Sequence, residues 1–179
     1  MFIDENSKID REALREHTLQ ELTRLKEVSG QLTRDSKNEA FWKSIQDTVA
    51  VLELDENTRN NYKNLLQEFQ NLNKYIDKWI TTTVDNPNRF EFFIASKAEE
   101  ISSGDEEKDY FWALQIRHDQ LIAVIRVISR LLEIITTWVS QDPKTVLDDP
   151  LFQGLIDTSL EEQIYLEAEN IHKQRDQHL

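Results

Sequence analysis

Residues 111–139 read FWALQIRHDQLIAVIRVISRLLEIITTWV, and they carry the longest regular hydrophobic pattern in the chain. Apolar side chains recur at alternating steps of three and four residues, interrupted only by a histidine, which places them along one face of an α-helix. A second apolar row widens this face beyond the narrow seam of a two-stranded coiled coil. The pattern therefore predicts one long central helix, at about residues 105–141, that several neighbouring helices contact.

The same periodicity predicts further helices on both sides of the central one. They cover about residues 7–32, 38–52, 56–83, 88–102 and 159–174, with a short helix from Pro150 to Ile156. Asp55 is the predicted N-cap of the helix that begins at Glu56. The chain has only three glycines and three prolines, so it lacks the turn residues that a sheet needs. The fold class is therefore all-α, an irregular bundle of about six helices around the long central helix.

The polar residues 33–38 form the candidate boundary between two parts of the chain. They separate a predicted N-terminal helical arm, residues 1–33, from a predicted helical body, residues 38–179. No linker in the sequence is long enough to require two domains. A single domain that includes the arm is therefore the alternative.

Charge and cysteine content narrow the classes of function. The net charge is −13, which disfavours binding to nucleic acid and to anionic membranes. The chain has no cysteine, which excludes disulfides, zinc–thiolate sites and a cysteine nucleophile. Arg126, Arg130 and Glu133 interrupt the most apolar run, and the first residues do not resemble a signal peptide. We therefore expect a cytoplasmic protein that binds neither nucleic acid nor membranes.

Two histidines lie where a helical bundle could hold a metal. Glu169 and His172 have the Glu-x-x-His spacing that di-metal carboxylate sites use on two helices, but this spacing occurs once. His118 lies on the apolar face of the central helix beside Asp119, and residue 115 is Gln where a second motif would need Glu. A hydrogen-bonded histidine at the edge of the core is the simpler interpretation, and a ligand, proton-transfer or pH-switch role is the alternative.

Sequence motifs for other chemistry are absent. The chain contains no Gly-rich phosphate loop, no His-Glu-x-x-His zinc motif and no Gly-x-Ser-x-Gly nucleophile turn. We therefore predict no catalytic residue, no metal and no cofactor, and no small-molecule site is evident.

One pair of residues gives an enzymatic alternative. Arg11 and His17 have a spacing that resembles the Arg-to-His motif of HEPN-type helical ribonucleases, and the stretch from Arg59 to Asn64 is similar but ends in Asn. The motif of that family lies late in the chain on a core helix, whereas Arg11 lies in the first, polar helix. The resemblance implies a HEPN-like ribonuclease or toxin–antitoxin component in which His17 would act on RNA.

The main functional hypothesis is a non-enzymatic protein–protein interaction or structural adaptor protein. Polar residues interrupt the apolar seam of the first helix, which suits contact with a protein partner, self-association or both. Trp42 and Trp112 each follow a Phe, so one ring of each pair is expected to point partly outward and to anchor a partner. The candidate interface residues are Leu14, Leu22, Leu25, Trp42 and Trp112. An acidic inhibitor that mimics nucleic acid is a further alternative.

Overall fold

The computed structural model describes residues 10–81 and 87–177, and within these residues it contains nine α-helices and no strand. The helices are α1 Arg11–Arg34, α2 Ser36–Ala50, α3 Glu56–Gln70, α4 Leu72–Trp79, α5 Pro87–Ile101, α6 Glu106–Trp138, α7 Pro143–Leu147, α8 Pro150–Ile156 and α9 Leu160–Gln177. The all-α prediction is confirmed. The predicted first helix also included residues 7–9, which lie outside the described residues.

The long central helix is confirmed as α6, which has 33 residues and spans roughly 50 Å. Its N-cap is Asp105, whose carboxylate accepts a hydrogen bond from the backbone N–H of Lys108. Acidic side chains follow in the first turn, where they interact favourably with the positive end of the helix dipole. The helices α1, α5 and α9 pack along α6, which explains why its apolar face is broad.

The buried side chains form two clusters on α6. The smaller cluster joins the start of α1 and α5 to the N-terminal half of α6, with Phe90 and Ile94 at its centre. The larger cluster joins the rest of α1 and the helices α2, α3, α4, α7, α8 and α9 to the C-terminal part of α6. At its far end Trp138 is fully buried, contacts Phe152 edge-on and donates a hydrogen bond from Nε1 to Asp149.

The prediction of one continuous helix over residues 56–83 is wrong. The helix begins at the predicted N-cap Asp55, but it breaks at Asn71, whose backbone leaves the α-helical range at φ −99° and ψ 13°. The break turns the apolar side chains of the two halves toward different neighbours, since α3 contacts α2 and α8 while α4 contacts α1. With the additional short helix α7, the break raises the number from seven predicted helices, the short one at Pro150–Ile156 included, to nine in the described residues. Residues 82 and 83 lie outside the described residues.

A connector was predicted at residues 33–38, but only Asp35 separates the end of α1 from the start of α2. The carbonyl oxygen of Leu32 accepts hydrogen bonds from the backbone N–H of Asp35 and from the side-chain amide of Asn38. The last carbonyls of a helix have no partner within the helix, so these bonds satisfy one of them and stabilise the tight turn. The helix α1 then packs against α2, α4 and α6.

Two short helices follow α6, of which the one at Pro150–Ile156 was predicted and α7 was not. Asp142 and Asp149 are N-caps, and the proline after each of them occupies the first turn of α7 or α8. Across the described residues, no helix combines the length and apolar character that crossing a bilayer requires.

Candidate functional site

Four of the five predicted interface residues lie inside the chain's own core. Leu14, Leu22 and Leu25 are at most 2% exposed, and Trp42 is buried against the ring of Phe69. The broad apolar faces of α4 and α6 bury the seam of α1, so a partner could reach these residues only if α1 moved away. Trp112 is the fifth residue, and it is 38% exposed on α6.

Trp112 lies on the wall of a groove between α4, α5, α6 and α9, with a volume of about 1050 Å³. We call this feature the α9 groove. Trp112, Ile116 and Tyr165 on its walls are 38%, 39% and 63% exposed, which is unusual for large apolar side chains. Three of the large apolar side chains that the described chain exposes therefore line the same groove.

The groove is elongated because it follows one face of α9. The α9 residues that line it recur in steps of three and one from Glu161 to Lys173, as expected for a single helical face. At 1.5 Å per residue, this face is about 18 Å long. The rest of the lining comes from α4 with Trp79, α5 with Phe93 and the first turns of α6.

Arg117 lies at the floor of the α9 groove and is only 5% exposed. Its guanidinium carbon lies 3.7 Å from the centre of the Phe93 ring and 5.6 Å from that of Trp79, so two aromatic rings contact the cation. Nη1 donates a 2.6 Å hydrogen bond to Gln120, whereas the buried Nε has no partner among the described residues. Burial lowers the pKa of Arg117 to about 10, so the side chain is still charged at neutral pH.

Arg117 was not among the site residues predicted from the sequence. An arginine next to His118 fits the polar edge of a helix, where arginines are usually exposed. The signal that could have identified it is spacing, since Arg117 follows Leu114 by three residues and precedes Leu121 by four. Those are the steps of the buried face, on which a charged side chain needs an explanation.

Arg117→Met is expected to raise the free energy of unfolding by about 1–2 kcal/mol, because a buried charge is replaced by an apolar side chain of similar length. Met can keep the contacts with Phe93 and Trp79, and Gln120 is partly exposed and can bond to water. Urea denaturation at neutral pH measures the change. Arg130→Met is the matched control on an exposed part of α6 and should change stability by less than about 0.5 kcal/mol. A clear destabilisation by Arg117→Met alone would contradict this expectation.

A second polar cluster lies at the end of the groove, around the buried carboxylate of Asp119. Arg175 on α9 donates two hydrogen bonds to it, at 2.5 and 2.9 Å, and Nδ1 of His118 lies 3.1 Å from Oδ1. Nδ1 of His172 lies 3.7 Å from Oδ2. Burial acts to raise the pKa of Asp119, but the hydrogen bonds and charges of His118 and Arg175 outweigh it and lower that pKa.

The structure thus brings together His118 and His172, which the sequence analysis considered separately. Both lie beside Asp119, whereas the carboxylate of Glu169 accepts a hydrogen bond from the hydroxyl of Tyr165 one turn earlier on α9. Within the described chain, no group of three or more His, Asp or Glu side chains has the arrangement of a metal site. The cluster joins the C-terminal part of α9 to α6 and so supports one end of the groove.

Arg11 and His17, which carry the HEPN-like spacing, lie on α1, away from the lining of the groove. Arg11 forms a 2.9 Å ion pair with Glu91 on α5 and contacts the ring of Tyr110, and His17 is half-buried. Arg11 therefore has a structural role between α1, α5 and α6. The ribonuclease alternative stays a prediction.

Comparison with known proteins finds no matching family model, no matching curated protein and no matching solved structure. What the α9 groove can bind is therefore inferred from its own residues.

Proposed function

We propose that this protein is a non-enzymatic protein-binding module whose α9 groove receives an amphipathic helix of a partner protein. The observation that carries the proposal is the alignment of Trp112, Ile116 and Tyr165, all partly exposed, along one elongated groove. Isolated exposed apolar residues are normal on a protein surface, whereas a cluster of them in a groove is typical of interaction sites.

The dimensions of the groove favour a helix as its occupant. A face about 18 Å long matches about 12 residues, or three turns, of a docked helix. Such a helix presents apolar side chains at steps of three and four residues, and the groove offers apolar walls along its length. A small apolar ligand is usually enclosed on most of its surface, and this groove is open along one side.

The residue types of the groove also suit a protein interface. Trp and Tyr contribute most often to binding energy in interfaces because they bury a large area with few rotatable bonds. Trp112 and Tyr165 lie on two of the helices that form the groove, α6 and α9, so a helix docked along the groove would contact both. Trp79 and Phe93 supply further apolar surface deeper in the groove.

A display library of helix-forming peptides about 16 residues long tests the proposal, with the immobilised full-length protein as the target. We expect enrichment of amphipathic peptides that bind Ile116→Asp at least about tenfold more weakly than the wild type, because the new charge lies on the apolar wall. Phe92→Asp is the matched control, since Phe92 is 74% exposed on α5 and does not line the groove. This control should bind the peptides as the wild type does.

Two results would overturn this proposal. One is a failure to enrich any peptide whose binding depends on Ile116. The other is a dimer of the wild-type protein that dissociates in the Ile116→Asp variant, measured by sedimentation over a range of concentrations. That dimer would assign the groove to a second copy of this chain.

A further inference from the structure

We propose that Arg117 selects the occupant of the α9 groove by pairing with a carboxylate, from an Asp or Glu that the docking helix carries on its apolar face. This inference rests on the proposed function, because it specifies which helices the groove accepts. The partner would thus be an amphipathic helix with one acidic residue among its apolar contacts.

The charge of Arg117 is buried, and no carboxylate of the described residues pairs with it. Buried charges are normally paired, because removing an ion from water costs several kcal/mol. Burial lowers the pKa of Arg117, and within the described chain the cation contacts Gln120 and two aromatic rings but no acidic side chain. Asp119 is two residues further along α6, but its carboxylate is bound to Arg175 and His118.

The guanidinium of Arg117 has N–H donors that make no hydrogen bond within the described chain. Arginine has five N–H donors, and the one hydrogen bond that Arg117 makes within the described chain uses Nη1. The ring of Phe93 contacts the guanidinium, which restricts the side chain before any partner binds. A restricted planar guanidinium loses little entropy when it binds a carboxylate in the bidentate manner.

The lining of the groove has more basic than acidic residues, whereas the chain as a whole is acidic. Four basic residues line the groove, Arg117 and three lysines, against three acidic ones, Asp119, Glu161 and Glu169. Outside the lining, Arg175 pairs with Asp119 and Glu100 pairs with Lys97, so the charges of these two neighbours cancel. The groove therefore has a positive balance in a chain whose net charge is −13, and this local charge complements an acidic occupant.

Three display libraries test the inference, identical except for one position on the apolar face that is fixed as Glu, Gln or Lys. The target is the full-length protein, and a selected peptide counts only if Ile116→Asp abolishes its binding. We expect such peptides to come from the Glu library, and their Glu→Gln versions to bind the wild type about tenfold more weakly. Against Arg117→Met, the Glu and Gln versions should bind within about twofold of each other.

Two variants separate pairing at Arg117 from a general effect of charge. Lys74→Met removes one exposed charge from α4 outside the groove and should leave the tenfold preference for Glu unchanged. Arg117→Lys keeps the charge but not the planar guanidinium, and it should reduce the preference without abolishing it. Circular dichroism must show that both variants and Arg117→Met are folded.

The possible failures are distinguishable. Groove-dependent peptides without a Glu preference, or with a preference that survives Arg117→Met, would overturn the inference and leave the proposed function standing. The absence of groove-dependent peptides from all three libraries would overturn the proposed function as well. A fatty acid seen by native mass spectrometry on the wild type, and lost in Arg117→Met, would assign the carboxylate to a small amphiphile and overturn both.

Discussion

Leu22→Ala is expected to lower the free energy of unfolding by about 3–4 kcal/mol, among the largest effects of any single truncation in this chain. Leu22 is 0% exposed on α1 and belongs to the larger core cluster, together with residues of α4 and α6. Truncation removes apolar contacts and leaves a cavity that packed helices fill only in part. Urea denaturation of the full chain, followed by circular dichroism, measures the loss.

Leu166→Ala is the matched control, since Leu166 is 52% exposed in the middle of α9. It should cost less than about 0.5 kcal/mol, because little of its surface leaves water on folding. Equal small effects of both substitutions would mean that α1 contributes little to the core in solution, as the predicted arm at residues 1–33 would. A large effect of Leu22→Ala alone would favour a single domain.

Asp119→Asn is expected to lower the free energy of unfolding by about 3 kcal/mol at neutral pH. Removing one partner of a buried ion pair leaves the other charge without compensation, which costs about 3–5 kcal/mol in fully buried cases. We expect a destabilisation at the lower end of this range, because the side chain of Arg175 is partly exposed and can turn toward water. Urea denaturation at pH 7 measures the difference.

The effect of Asp119→Asn should depend on pH in a defined direction. The pKa of Asp119 is lower in the folded protein than in the unfolded chain, where a carboxyl has a pKa of about 3.9. The carboxylate therefore stabilises the fold fully above about pH 4, and this stabilisation is lost as the pH falls through the folded value. The difference between wild type and variant should thus be smaller at about pH 3 than at neutral pH.

Asp77→Asn is the control for Asp119→Asn, because it removes a carboxylate from an ion pair between half-exposed side chains. Asp77 lies 2.6 Å from Lys26, and this contact joins α4 to α1. Ion pairs in solvent contribute less than about 1 kcal/mol, so this substitution should have a small effect. Similar losses for the two variants, or a loss at Asp119 that does not change with pH, would show that Asp119 is not the centre of a buried cluster.

The two buried charges of the groove, Asp119 and Arg117, are expected to change the free energy of unfolding in opposite directions. Asp119 is bonded on several sides and stabilises the fold, whereas Arg117 has one hydrogen bond and lies in apolar surroundings. A residue that lowers stability is commonly retained for binding, where its unsatisfied groups find a partner. The expected gain in stability from Arg117→Met and the expected loss of Glu preference are two consequences of the same desolvated charge.

The candidate site was only partly predictable from the sequence. Trp112 was identified as an exposed anchor because it follows Phe111 on the helix, and the groove contains it. The same reasoning was wrong for the other pair, since both Phe41 and Trp42 are buried. Tyr165 was not identified because the sequence assigns it no exceptional position, and Arg117 was not identified although its spacing from Leu114 and Leu121 places it on the buried face. His118 and His172 were noted separately, and only the packing of α9 on α6 shows that both lie beside Asp119.

The sequence by itself determined the helices, because their signals are local. The three- and four-residue steps of apolar side chains define α6 within one continuous segment, and capping residues such as Asp55 and Asp105 mark where helices begin. Only the tertiary structure decided the break at Asn71, the burial of α1 and the formation of the groove. Each of these depends on contacts between helices far apart in the chain, and such contacts leave no periodic pattern in any one segment.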